Sequence, residues 1–178
     1  MSAPLLLRPA TAADLPAVLR LYRELDPAET GDLAHAEAVF ARMALYPDYS
    51  LHVAEAAGEV LGTFTLLVME NIAHHGSRSA VIEAVAVAAA AQGRGIGRAM
   101  MGEALRLAGE KGCYKAALST RMARERAHAF YESLGFTRHG FSYAIELDHP
   151  AGAGEAGAAA ASAAMPAQTM PRSAGGVS

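Results

Sequence analysis

The segment Gln92-Gly93-Arg94-Gly95-Ile96-Gly97-Arg98 carries the chemistry most directly readable in this chain of 178 residues. Its three glycines let a backbone come close to a ligand, because no Cβ intervenes. A glycine-rich turn that opens a helix points successive N–H groups at an anion. Arg94 and Arg98 add full positive charges beside them. The turn follows the apolar run Val81-Ile82-Glu83-Ala84-Val85-Ala86-Val87 and leads into a helical pattern from Ala99 onward. Strand, turn and helix in that order suit a pyrophosphate. A nucleoside-triphosphate loop of the form G-x-x-x-x-G-K is excluded, since the turn has no lysine. The dinucleotide fingerprint G-x-G-x-x-G would require glycine where Arg98 stands. What remains is Q-x-x-G-x-G. The glycines alone would also fit an ordinary ligand-free connector; the flanking arginines weigh against it.

Glu83 is an acid in the middle of an apolar strand, which is costly without a partner or a task. A buried carboxylate with a raised pKa makes a usable base, whereas a solvated or arginine-paired position would make it inert. Strand alternation places it on the same face as Val85. Tyr131 offers a phenol, although helical spacing alone reads it as an aromatic packed beside Phe130. Cys113 has no sequence-adjacent base and reads as packing at a strand start. His74 and His75 read as exposed loop histidines, because no third ligand is spaced to complete a metal site. No metal is expected.

The elements that must position these groups follow from periodicity and breakers. Thr11 and Asp14 form a capping-box variant, followed by a helix with Leu15, Val18, Leu19, Tyr22 and Leu25 at helical spacing, which Asp26-Pro27 ends. A second helix is expected between Asp32 and Leu45. A hairpin joins Leu51–Ala56 to Val60–Met69 around Ala57-Gly58-Glu59. Strands are expected at Ala80–Ala88, Cys113–Ser119 and Thr137–Leu147, and helices at Ala99–Glu110 and Arg124–Leu134, with Gly135 ending the last. The fold class is α/β (α+β), with a mixed central sheet of about six strands and about four helices.

The length suits one domain, residues 1–149. Residues 150–178 are dominated by Ala, Gly, Ser and Pro, and they read as a disordered tail that buries too little apolar surface to offset its ordering entropy. Apolar residues make up 52% of the chain, yet no run approaches a membrane span. Met1–Arg8, without a basic leader and with too short an apolar stretch, is not expected to act as a signal peptide. A single cysteine fits a reducing compartment, so the expected location is cytoplasmic. A net charge of −3 gives no basic footprint for nucleic acid.

Three stretches in this order resemble the GNAT superfamily of acetyl-coenzyme A-dependent N-acetyltransferases: Ile82-Glu83-Ala84-Val85-Ala86-Val87, the turn from Gln92 to Gly97, and Phe130-Tyr131-Glu132-Ser133-Leu134-Gly135-Phe136. Leu7-Arg8-Pro9-Ala10-Thr11 is similar to the superfamily's opening strand and cap, so the likeness spans about residues 5–147. Gly112-Cys113-Tyr114-Lys115 and Ile82-Glu83 are similar to small-amine acetyltransferases of the glucosamine-phosphate and aminoalkylphosphonate kinds.

The resemblance implies a sheet splayed at the coenzyme site and a role for each matching position. Main-chain N–H groups from Gln92 through Gly93, Arg94, Gly95, Ile96 and Gly97 to Arg98 would take the pyrophosphate of acetyl-CoA. Main-chain groups of Val85, Ala86 and Val87 would bind the pantetheine arm as an added strand would, and an amide near Val85 would polarise the thioester carbonyl. Glu83 would be the general base, directly or through one water, and Tyr131 the general acid to the departing thiolate. Arg124 stands where many members carry a coenzyme-holding asparagine. The Arg121, Arg124, Arg126 cluster therefore either contacts the adenosine phosphate or forms a solvated face. The acceptor walls would draw on the first two helices, near Tyr22, Glu24 and Asp26, and the loop bearing His75 would flank them.

The function these features imply is transfer of acetyl from acetyl-CoA to a primary amine of a small metabolite by direct attack. Acetylation of peptide N-termini and a non-catalytic acyl-CoA sensor are the alternatives. A homodimer would be in keeping with the family, although no residue here marks one.

Overall fold

The computed structural model describes residues 3–145 and 147. The expected tail from residue 150 lies outside the described residues. Five strands form one sheet in the order β1-β2-β3-β4-β5. They are β1 (Leu6–Pro9), β2 (Tyr49–Ala56), β3 (Glu59–Met69), β4 (Arg78–Val87) and β5 (Cys113–Ala117). Neighbours are antiparallel except β4 and β5, which run parallel. The helices are α1 (Leu15–Leu25), α2 (Leu33–Met43), α3 (Ile96–Glu110) and α4 (Glu125–Glu132). Helix α3 is the crossover that a parallel pair requires. The β2–β3 hairpin turns on Ala57 and Gly58, both with positive φ (53° and 78°), the two-residue geometry that matches strand twist.

Opposed residues on paired strands share a face. Leu51, Thr63 and Thr65 mark the face covered by α1 and α2: Tyr22 of α1 lies against Thr63, and Phe40 and Met43 of α2 lie near Leu51. Gly62, Phe64 and Leu66 mark the other face, where α3 packs. A Cβ on Gly62 would stand 2.5 Å from the Met100 sulfur, so glycine here is what lets α3 approach the sheet. Phe64, Leu66, Ile82, Met100 and Met101 are fully buried on this side. Each contributes on the order of 2 kcal/mol by leaving water. His52 stacks on Phe64 with ring centroids 4.9 Å apart. Burial lowers its pKa, so at neutral pH it packs as an uncharged ring.

The capping expectation at Thr11 holds and extends further than the sequence suggested. The Asp14 carboxylate accepts from the Thr11 N–H (2.7 Å) and hydroxyl (2.9 Å), and also takes both Arg8 amino groups at 2.8 Å. Arg8 reaches Glu55 on β2 as well, at 2.6 Å and 3.0 Å. One guanidinium thus ties β1, the turn before α1 and β2 together. It holds the Asp14 carboxyl well below the usual carboxylate range.

The structure corrects two expectations. Of the segment 137–147, residues 137–145 and 147 form no strand, so the sheet has five strands rather than about six among the described residues. The alternating residues Phe141, Tyr143, Ile145 and Leu147 are 91%, 90%, 84% and 75% exposed. Alternation supplies an apolar face, but a strand also needs a neighbour's edge to satisfy its backbone, and none pairs here. Helix α3 begins at Ile96, inside the glycine-rich motif, because Gly95 serves as its cap in the left-handed conformation.

Asp14→Asn should lower the unfolding free energy by about 2 kcal/mol, since it leaves Arg8 short of a partner at a part-buried site. Because the native carboxyl is depressed, its contribution is complete above about pH 4 and is lost as pH falls through the native value. Urea unfolding between pH 2 and 7 should therefore show a shallower acid limb for Asp14→Asn than for the wild type, with the two curves diverging below about pH 4.

Candidate active site

The site is built where β4 parts from β5. The two strands pair only from Arg78 with Cys113 to Val81 with Ala117. From Ile82 to Val87 the β5-facing edge of β4 has no ladder partner among the described residues, while β3 still pairs along its other edge. An edge of this kind presents main-chain donors and acceptors to an extended ligand.

At the parting point β4 carries a bulge. Thr65 faces Glu83 and Thr63 faces Ala86, so Ala84 and Val85 together oppose Phe64. Ala84 adopts φ 50°, an uncommon conformation for a residue with a side chain. The extra residue shifts the phase of alternation. Glu83 therefore does not share a face with Val85, as strict alternation predicts; it stands with Thr65 on the α1 and α2 face, and Val85 stands with Phe64. Glu83 is exposed, so the cost of burying an acid does not arise.

Beyond β4, a short 3-10 turn (Ala89–Ala91) leads into the glycine-rich segment. The Gln92 N–H is taken by the Ala89 carbonyl at 3.3 Å, and its side-chain amide donates to the Val87 carbonyl at 3.3 Å. Gln92 thus braces the turn. No main-chain bond takes the N–H groups of Gly93, Arg94 or Gly95 among the described residues. The first helical bond of α3 runs from Ala99 to Gly95, leaving the N–H groups of Ile96, Gly97 and Arg98 ahead of it. Six consecutive N–H groups at a helix N-terminus can hold an anion. The Ile96 side chain is buried in the core, and Arg94 and Arg98 are exposed.

The three glycines have different reasons. Gly93 and Gly95 have φ of 75° and 82°, and a Cβ on either would meet nothing within 4 Å. They are needed for backbone conformation. Gly97 has no such φ, but a Cβ there would stand 3.1 Å from the Phe130 ring. It is needed for space, and the neighbour that needs the space is α4.

A cleft of about 530 Å³ opens beside the turn, lined by Glu24 and Leu25 of α1, Val87, Gln92, and Arg124 and Arg126 of α4 among others. The Glu24 carboxylate accepts the Ala89 N–H at 2.9 Å, and Asp26 lies 3.5 Å from Arg121. Two arginines of the cluster thus line a cleft, which the sequence left open between ligand contact and solvated face. Tyr131 is half-buried, with its ring centroid 5.2 Å from Phe130 and 5.8 Å from Phe136. Burial raises its pKa, and the Arg124 cation opposes part of that rise, so the phenol is protonated at neutral pH.

His74 and His75 sit at the other end of β4, before Arg78, about 17 Å of strand away from Glu83. The ring of His74 lies 4.9 Å from Tyr114 on β5. Neither histidine joins the splayed region, because the parallel strands begin together at that end. Among the described residues no cluster of three His, Cys, Asp or Glu could hold a metal, and no helix is long and apolar enough to cross a membrane.

The profile of the acetyltransferase (GNAT) family matches residues 15–136. The chain belongs to the acetyltransferase (GNAT) family. It is an acetyl-CoA-dependent N-acetyltransferase. This GNAT chain is 27% identical over 144 residues to the glucosamine 6-phosphate N-acetyltransferase of Trypanosoma brucei brucei, covering 79% of this chain and 95% of that one. It is 36% identical over 121 residues to the probable glucosamine 6-phosphate N-acetyltransferase 2 of Oryza sativa subsp. japonica, covering 64% and 71%. A solved structure, a putative acetyltransferase from Agrobacterium tumefaciens str. C58, superposes with a TM-score of 0.76 at 36% identity, covering 80% of this chain and 99% of that one. The bulge, the parted strands and the glycine-rich turn are thus features of a GNAT acetyltransferase domain.

Two substitutions at one glycine separate conformation from contact. Gly95→Ala should cost about 1 kcal/mol, by forcing a Cβ into the left-handed region. Gly95→Asn should cost less, because asparagine tolerates that region. Urea denaturation of both variants measures the difference.

Proposed function

We propose that this chain acetylates the primary amine of a small metabolite, an amino-sugar phosphate foremost, by direct attack on acetyl-CoA. The observation that carries the reading is the unpaired β5-facing edge of β4, which runs straight into the run of N–H groups at the α3 N-terminus. One extended ligand with a pyrophosphate at its end fits both. The names of the two curated relatives support the acceptor class.

In this reading the pantetheine arm lies along Val85, Ala86 and Val87, bonded through their main-chain groups. The pyrophosphate sits on the N–H groups from Gly93 to Arg98, with Gln92 bracing the turn. Arg124 and Arg126, lining the cleft beside Gln92, suit the remaining phosphate. The acceptor approaches the exposed Glu83, on the sheet face that α1 and α2 cover elsewhere, with half-buried Tyr22 on that same side and Thr63 buried beneath it. Burial pushes the Tyr22 phenol up to about 12, the Thr63 hydroxyl offsetting part of the rise, so it remains a neutral donor there.

Glu83 takes a proton from the amine, directly or through one water; its exposure suits the water-mediated route. The neutral nitrogen attacks the thioester carbonyl carbon, and an amide near Val85 stabilises the developing oxyanion. When the C–S bond breaks, the protonated Tyr131 phenol donates its proton to the thiolate. The remaining extra proton leaves the amide nitrogen through water and returns the phenol to its protonated form. Amide and free coenzyme A result.

Glu83→Gln and Tyr131→Phe should each reduce thiol release with glucosamine 6-phosphate by roughly 100-fold, while calorimetric coenzyme A affinity stays within about threefold. Thiol release with N-terminal peptides and with no amino sugar would overturn the acceptor class. Coenzyme A binding without thiol release from any amine or peptide would overturn the catalytic roles and favour a sensor.

A further inference from the structure

We propose that Phe130 is a positioning residue, whose ring rests on Gly97 and thereby sets the Tyr131 phenol against the donor bound at the α3 N-terminus. The proposal rests on the coenzyme reading above and adds to it a contact between two motifs far apart in sequence.

Three ring atoms of Phe130 lie over the Gly97 Cα: a Cβ there would stand 3.1 Å from Cζ, 3.6 Å from Cε2 and 3.8 Å from Cε1. Gly97 is the second residue of α3, so its Cα belongs to the same turn that offers the free N–H groups. Helix α4 has eight residues and none is fully buried, so it has no deep apolar anchor of its own. Its position depends on a few contacts. The closest to the reacting region is Phe130 on Gly97; a second, weaker one is Arg98 to the Ser133 hydroxyl at 3.4 Å. The Ser133 hydroxyl in turn donates to the Phe130 carbonyl at 2.7 Å.

From Phe130 the aromatic chain runs to Tyr131 and on to Phe136, whose N–H closes back on the Tyr131 carbonyl at 3.1 Å. Tyr131 is thus held between two rings, and the first of these touches the donor-binding turn. A Cβ on Gly97 would push Phe130 back by a few tenths of an ångström, and Tyr131, the next residue on the same helix, moves with it. Proton donation to the thiolate tolerates little such movement. Leucine in place of Phe130 lacks the outer ring atoms that stand over Gly97, so it removes the obstacle to a Cβ there.

The test is a double-mutant cycle on the full chain, with thiol release from acetyl-CoA and glucosamine 6-phosphate as one readout and calorimetric coenzyme A binding as the other. Gly97→Ala should lower kcat about tenfold, with acetyl-CoA KM and coenzyme A affinity changed less than about threefold. In the Phe130→Leu background the same Gly97→Ala change should cost less than about twofold in kcat. An equal loss of kcat in both backgrounds overturns the proposal, as does a loss confined to coenzyme A affinity. Either result leaves the coenzyme reading standing. A wild-type chain that binds no coenzyme A overturns that reading and this proposal together.

Discussion

Strand β4 is bonded to β3 along its length but to β5 only as far as Val81, and the site depends on that asymmetry. A fully paired β4 would have no main-chain groups left for a ligand. A free β4 would have no rigid frame from which to present them. Pairing on one edge holds the strand, and the missing pairing on the other makes it useful. The bulge at Ala84 and Val85 stands at the point where the strands part. It turns Glu83 toward the α1 and α2 face while Val85 turns toward Phe64, so one short stretch of chain serves both sides of the sheet.

The helical layers are fitted to this frame by absence of side chains at two glycines. Gly62 admits Met100 and brings α3 onto the sheet; Gly97 admits Phe130 and brings α4 onto α3. A methyl group on Gly62 would overlap the Met100 sulfur at 2.5 Å, and one on Gly97 would crowd the Phe130 ring at 3.1 Å. Gly93 and Gly95 act differently, since each permits a backbone turn and neither is crowded. The glycine-rich motif is therefore two devices in one stretch, a conformational one for the turn and a steric one for the helix beside it.

Charge is distributed in keeping with this division. The Arg8, Asp14 and Glu55 cluster is structural, closing the first strand and helix cap onto β2 at a distance from the parted strands. Arg124 and Arg126 line the cleft by the turn, opposite Glu24, and the cation of Arg124 reaches Tyr131 strongly enough to oppose its pKa rise. Tyr131 thus packs beside the ring that rests on Gly97 and lies within the field of the Arg124 cation that lines the cleft.

The sequence by itself determined most of the elements and the family. Short-range rules sufficed for the Thr11 and Asp14 cap, the hairpin at Ala57-Gly58, and the strand, turn and helix around Gln92 to Arg98, because capping, turn conformation and helical periodicity act over a few residues. The three motifs in order then fixed the family. Only the tertiary structure decided which face Glu83 occupies, since a bulge is a mismatch between two strands and leaves no mark in one. Likewise it decided that Gly97 answers to Phe130, that Arg124 and Arg126 line a cleft, and that the alternation from Phe141 to Leu147 pairs with no strand. Each of these depends on a neighbour tens of residues away or on the lack of one, and local periodicity carries no information about either.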